Sequence, residues 1–237
     1  MEQQTYTKQQ LTDQIALGRD LVYHFYDFHD KLEKEIDSAI RLMLGKYQRG
    51  DLQEVIYSTV KELSINGVKA NLKHIVYLEN KIDRNNEDSL IKGLKSLHSI
   101  IGNPTLLEEY GQKAEKLNYK VHLRLKHSAK RVIIMVANSI PMKEEEEQRI
   151  REKFKKALNY DSIADYYMDN LDDAQAEGAG LGITMIVLLL KSCGISPHSF
   201  TIYKNRDNET VAKIEIPLAD DYISSRDIYE KLHNDND

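Results

Sequence analysis

From Leu11 onward, apolar residues recur at Leu11, Ile15, Val22, Phe25, Leu32, Ile36, Ala39 and Met43, with Gly18 and His29 at the two remaining positions of a four-three spacing. That period predicts one long amphipathic helix with a coiled-coil-like stripe. Leu21 and Phe28 add a second apolar edge, so the helix is expected to pack either on a second copy, giving a homodimer, or on its own domain. Gly50-Asp51 interrupts the pattern, and Leu52, Val55, Ile56, Thr59, Val60 and Leu63 resume helical spacing through Lys69 or beyond. Residues 80–117 are charged and helical in pattern, broken at Gly102-Asn103-Pro104, and carry no recognisable motif.

The period then changes. Tyr119 to Lys126 alternates strictly, residues 127–130 can turn, and Val132 to Val136 is a continuous apolar run, which together predict a hairpin with one half-exposed and one buried strand. A helix is expected from Glu144 to about Leu158, its acidic start read as a solvated first turn that complements the helix dipole. An acidic segment, Asp161 to Glu177, ends at a glycine cluster. An apolar helix from about Leu181 and two alternating strands, Ser199 to Lys204 and Thr210 to Pro217, complete the pattern. Helices followed by strands that pair locally predict an α+β fold: a two-layer sandwich of helices on a mixed, mainly antiparallel sheet.

Composition removes classes of function. The chain has 237 residues, 41% of them hydrophobic, enough for one substantial core and an appendage. A formal net charge of -5 gives no general attraction to nucleic acid or anionic membranes. The single cysteine, Cys193, builds neither an internal disulfide nor a zinc cluster and fits a reducing, cytoplasmic setting. No secretory leader pattern stands at the N-terminus, and the longest apolar run, Met185 to Leu190, is far short of the ~20 residues of a membrane span.

Two motifs carry chemistry. Glu62, Asn66 and Lys69 stand at i, i+4 and i+7 and share one helix face, supplying a carboxylate to orient or deprotonate a nucleophile, an amide oxygen suited to magnesium, and a cation for phosphate. Gly178-Ala179-Gly180-Leu181-Gly182 immediately precedes a helix whose free N–H groups and positive dipole end suit phosphate. The plain alternatives are a solvated polar face and a tightly packed loop.

Glu62-Leu63-x-x-Asn66-Gly67-x-Lys69 resembles the N-box of the histidine-kinase-like (GHKL) ATPases, and Glu177-Gly-Ala-Gly-Leu-Gly-Ile183 resembles the glycine-rich box that closes their ATP lid. Gly50-Asp51, the hairpin ending in Val136 and the closing segment Asn208 to Leu218 are similar as well. The resemblance implies a Bergerat-type ATP-binding domain over residues 49–218, preceded by a helical segment at 1–48 and followed by a tail at 219–237. By the same resemblance Asn66 ligates Mg²⁺ and Glu62 is the general base or its orienting group. Lys69 faces phosphate, while Gly178, Gly180, Leu181 and Gly182 form the phosphate loop, and Thr210 begins the final strand. The family's Asp-x-Gly-x-Gly box corresponds here to Val136-Ala137-Asn138-Ser139-Ile140-Pro141, with Asn138 where the adenine-binding aspartate stands and no glycine. Asn138 still offers an amide oxygen to adenine, without the charge.

Two functions follow. One is a cytoplasmic signalling protein that binds ATP with Mg²⁺ and either phosphorylates a partner protein or changes partner binding. The other is a nucleotide-free pseudokinase serving as a dimeric scaffold. His29-Asp30-Lys31-Leu32 loosely resembles a phosphoacceptor box, but only 37 positions separate His29 from Asn66, too few for a helical hairpin and the domain's opening strand. A packed or interface histidine is the expectation there, and His24 has less support still.

Overall fold

The structure, a computed structural model, describes residues 5–83, 86–169, 181–224 and 228. Its N-terminal third differs from the single long helix that the spacing predicts. Three elements replace it: α1 (Lys8–Ala16), β1 (Leu21–Phe25) and α2 (Asp30–Lys46). Gly18, at φ +69°, takes a left-handed conformation that a side chain disfavours and ends α1. Leu-Val-Tyr-His-Phe then runs as a strand of alternating burial, with Leu21, Tyr23 and Phe25 fully buried. His29 is not a seam residue. It caps α2, its ring Nδ1 accepting the Leu32 N–H at 3.2 Å. The four-three spacing survived by coincidence, because each piece buries its own apolar positions.

The remaining helices follow the sequence closely, except for a short one at Ile163–Asp169 inside the segment read only as acidic. α3 (Gln53–Glu79) runs for 27 residues, then α4 (Glu87–Ile101) and α5 (Pro104–Lys116) divide where Asn103 caps α5 and Pro104 opens it. β2 (Val121–His127) and β3 (Arg131–Asn138) form the expected hairpin. After them come α6 (Glu144–Leu158), α7 (Ile163–Asp169), α8 (Leu181–Ser192), β4 (Phe200–Lys204) and β5 (Thr210–Pro217). The fold is α+β, and among the described residues five strands form one sheet in the order β1-β2-β3-β5-β4. Every pairing is antiparallel, so the sheet is not mixed as expected.

One sheet face carries the core. Alternation directs Leu21, Tyr23 and Phe25 of β1, Val121, Leu123 and Leu125 of β2, Val132, Ile134 and Val136 of β3, and Ile214 and Ile216 of β5 to the helices. The same cluster contains Leu11, Ile15, Leu32, Ile36 and Met43, so residues on both sides of position 48 share one core. Those side chains, expected either on a dimer seam or on the chain's own domain, pack within the chain.

α3 is the central helix of the layer. Gly67 lets it approach the sheet: a Cβ there would stand 3.2 Å from both Val121 methyls and 3.6 Å from the Asn138 Cβ. A mid-helix glycine costs about 1 kcal/mol relative to alanine, and close contact between Glu62–Asn66 and the end of β3 is what the position gains. On the opposite sheet face, Glu215 is 3% exposed and is held by Arg131 at 3.3 Å, Lys213 at 3.1 Å and the Tyr222 hydroxyl, so residues just beyond β5 fold back over the strands. No helix among the described residues is long and apolar enough to cross a membrane.

Candidate functional site

A pocket of about 350 Å³ lies between α3, the β3 and β5 ends of the sheet, α6 and the start of α8. Glu62, Asn66, Asn138, Gly182 and Thr210, distant in sequence, all line it. Of the remaining expected residues, Leu181 opens α8. Gly178 and Gly180 lie outside the described residues, as does Glu177.

Lys69 is not among the lining residues, and Lys73 is. A helix advances ~100° per residue, so Glu62, Lys73, Asn66, Ala70, Leu63 and His74 occupy an arc of roughly 120°, and Lys69 falls about 20° beyond its edge. The seven-residue step from Glu62 keeps Lys69 close to the face, but on the wrong side of it.

Polar geometry divides the pocket into two ends. At one end the Asn66 Nδ2 donates to Glu62 Oε1 at 2.9 Å, which turns the amide oxygen away from that carboxylate. Glu62 also packs against Gly182, where a Cβ would overlap its carboxylate, 2.7 Å from Cδ. Only glycine admits the α8 backbone this close to Glu62 as it stands. At the other end Asn138, 7% exposed, donates through Nδ2 to the Ile140 carbonyl at 3.2 Å, and Thr210 donates its hydroxyl to the same carbonyl at 2.7 Å. Both anchors leave their acceptor oxygens for a ligand: the Asn138 Oδ1 and the Thr210 hydroxyl lone pairs. Val136, Ile140, Ile202 and Ala212 make this end apolar.

α6 contributes residues that the sequence did not single out. Glu146, Arg149, Ile150 and Lys153 line the pocket at i, i+3, i+4 and i+7 of one helix face, a stripe visible in the sequence, of which only the acidic start, Glu144 to Glu147, was read, as a solvated first turn. Glu146 accepts from the Lys143 backbone N–H at 3.3 Å and pairs with Lys73 at 3.4 Å, joining α6 to α3 across the pocket. Burial, reinforced by the Arg149 charge, holds the Lys153 ammonium below the usual lysine range.

Among the described residues no three His, Cys, Asp or Glu side chains converge to hold a metal ion. The oxygens of Glu62 and Asn66 are nevertheless hard ligands of the kind Mg²⁺ takes one or two at a time, with ligand phosphates and water completing the shell. The donor set therefore fits Mg²⁺ arriving with a phosphorylated ligand and does not fit a metal caged by protein alone.

No family model matches the chain, and no solved structure does. It is similar to an uncharacterized protein of Treponema pallidum (strain Nichols), 24% identical over an alignment of 208 residues that covers 86% of this chain. The chain spans 39% of that protein's length.

Proposed function

We propose that the protein is a histidine-kinase-like ATPase of Bergerat type that binds Mg-ATP in the α3–α6–α8 pocket and acts in cytoplasmic signalling on a partner protein. The observation that carries this reading is the convergence of Glu62, Asn66, Asn138, Gly182 and Thr210 on one pocket. Four separate segments resembling successive boxes of that family thus meet in space, in a volume suited to a small-molecule ligand. The acceptor oxygens of Asn138 and Thr210, beside apolar walls, suit a base that presents an amino group, as adenine does. The Glu62–Asn66 end suits the phosphates.

In this reading Mg²⁺ supplies charge neutralisation of the phosphate oxygens, and the chain's own residues do the rest. Asn66 offers its amide oxygen to the ion, and its hydrogen bond holds the Glu62 carboxylate in place. Glu62 orients or deprotonates the attacking hydroxyl or water, and the first turn of α8 adds its dipole. In phosphoryl transfer the partner hydroxyl would form a bond to the γ-phosphorus as the bond from that phosphorus to the bridging oxygen breaks, its proton passing to Glu62 and ADP leaving; His29 serves as a helix cap.

A second reading, a nucleotide-free scaffold with the same fold, is favoured by the neutral Asn138 in place of an aspartate. Phosphate release from ATP by the full chain separates the two. Turnover abolished by Glu62→Ala supports the ATPase, whereas no turnover together with no binding supports the scaffold.

A further inference from the structure

The helices cover one face of the sheet, and the other face has a composition unlike that of a solvated surface. On β2 the alternation sends Val121, Leu123, Leu125 and His127 inward, where all four are buried. The outward row, counted from one residue before the strand, is Lys120, His122, Arg124 and Lys126. Beside that row the register sets Ala137 opposite His122, Met135 opposite Arg124 and Ile133 opposite Lys126, with Val211 and Lys213 of β5 on the far side. Ile133 and Val211 are 8% and 3% exposed although neither belongs to the core cluster, so the longer side chains around them cover them from this side. The face therefore has an apolar floor along β3 with cations on both of its borders. Its carboxylates do not balance those cations, in a chain whose formal net charge is -5. Arg131 and Lys213 share Glu215, Asp20 stands 3.9 Å from Lys126, and Glu209 stands 3.9 Å from His122. Arg124, exposed in mid-row, is in none of these pairs.

We propose that this face docks an amphipathic helix of a partner protein whose apolar stripe is bordered by Asp and Glu. Residues four apart on a helix rise about 6 Å and alternate residues on a strand about 6.8 Å, so carboxylates along one helix edge reach successive members of the β2 row. The chain gives one instance of this chemistry at the margin of the face. Asp221 pairs with Lys130 at 3.0 Å, and the Tyr222 ring lies 5.4 Å from the Arg131 guanidinium with its hydroxyl on Glu215. A second copy of the chain, face to face, would oppose cation to cation. Nucleic acid would find no row of ring faces to stack on, because His24 and His122 meet edge to face at 4.4 Å and Tyr203 stands on the far edge strand. The surface is on the opposite side of the sheet from the pocket, so the proposal stands independently of the nucleotide reading.

The test is fluorescence anisotropy of the full chain with a labelled synthetic helix of about five turns, leucine along one stripe and glutamate on both of its borders. Saturable binding is expected at low salt, weakening several-fold as the salt approaches molar concentration. Arg124→Glu is expected to weaken it by roughly tenfold, and Met135→Glu, in the floor, by a similar factor. Arg41→Glu, an equal change of charge on α2 at a side chain 66% exposed, is expected to leave binding unchanged. Thermal melting of each variant shows that it is folded. No saturable binding at millimolar peptide overturns the proposal, as does undiminished binding by Arg124→Glu or equal binding of the same helix bordered by lysine. Tighter binding of oligothymidylate or of phosphatidylserine vesicles than of the acidic helix overturns it too.

Discussion

The carboxylate of Glu62 rests on the backbone of Gly182, with no room between them for a side-chain carbon. This contact joins the middle of α3 to the first turn of α8, the two places where the sequence resembles nucleotide-binding boxes. A negative charge beside a helix N-terminus is stabilised by about 0.3–1 kcal/mol, so the pairing also favours the folded arrangement modestly.

Gly182→Ala is expected to displace Glu62 and break its 2.9 Å hydrogen bond with Asn66. The displaced atoms belong to a long side chain that swings aside, so the midpoint of thermal unfolding should shift by only a few degrees, about 1 kcal/mol. ATP affinity and turnover should fall together, roughly tenfold or more. Paired melting and binding measurements on this variant check the dissociation of the two effects.

Asn138→Asp tests the base end. A carboxylate gives a charge-assisted hydrogen bond to an amino group, about 1–2 kcal/mol stronger than the amide gives, so adenine nucleotides should bind roughly tenfold more tightly. The same change removes the donor that holds the Ile140 carbonyl at 3.2 Å, and chemical unfolding should report a loss of about 1 kcal/mol. Unchanged binding in this variant argues that the base lies elsewhere.

Gly67→Val places methyl groups against the Val121 methyls, which already stand 3.2 Å from a Cβ at that position. Overpacking of this kind costs about 1–3 kcal/mol, and because α3 is then pushed from the end of β3, binding should weaken as well. The denaturant midpoint is the readout for the first effect and a nucleotide titration for the second.

Two histidines make the fold acid-sensitive. Burial, together with the charges of His24, Lys120 and Arg124, pushes His122 down to about 4 against the opposing pull of Glu209. His127 is also lowered, chiefly by burial, and sits between the Tyr47 hydroxyl at 2.7 Å and the Arg19 carbonyl at 3.1 Å, an arrangement that suits the neutral ring. Both are neutral in the fold at neutral pH, so their contribution is complete above the unfolded value near 6.5 and is lost as pH falls below it, for His122 down to about 4. Thermal unfolding should therefore occur at lower temperature at pH 5 than at pH 7, and His122→Gln should flatten the difference.

Much of the architecture was legible because long, regular elements announce themselves. The 27-residue α3, the break at Asn103-Pro104 and the strict alternation of β2 each have a period that nothing else imitates. Residues 11–43 misled because a seven-residue repeat of apolar positions also arises when a helix, a short strand and a second helix each bury their own side chains. Only Gly18 and the β-branched and aromatic run around Val22 and Tyr23 contradicted it. Within the site, Glu62 and Asn66 were legible because one helix brings them together, and Asn138 because it ends a strand. Lys73 and the Arg149–Lys153 face were not, since what distinguishes a pocket cation from a solvated one is the element packed opposite, and that is a tertiary fact.

The central claim is that this pocket takes a magnesium nucleotide, and calorimetric titration of the full chain with ATP, with and without Mg²⁺, tests it most directly. The account predicts saturable binding that weakens by roughly tenfold when Mg²⁺ is withheld and that Asn66→Ala weakens to a similar degree, about 1.4 kcal/mol. Absence of binding at millimolar ATP with Mg²⁺ present, in protein that melts cooperatively, would contradict it.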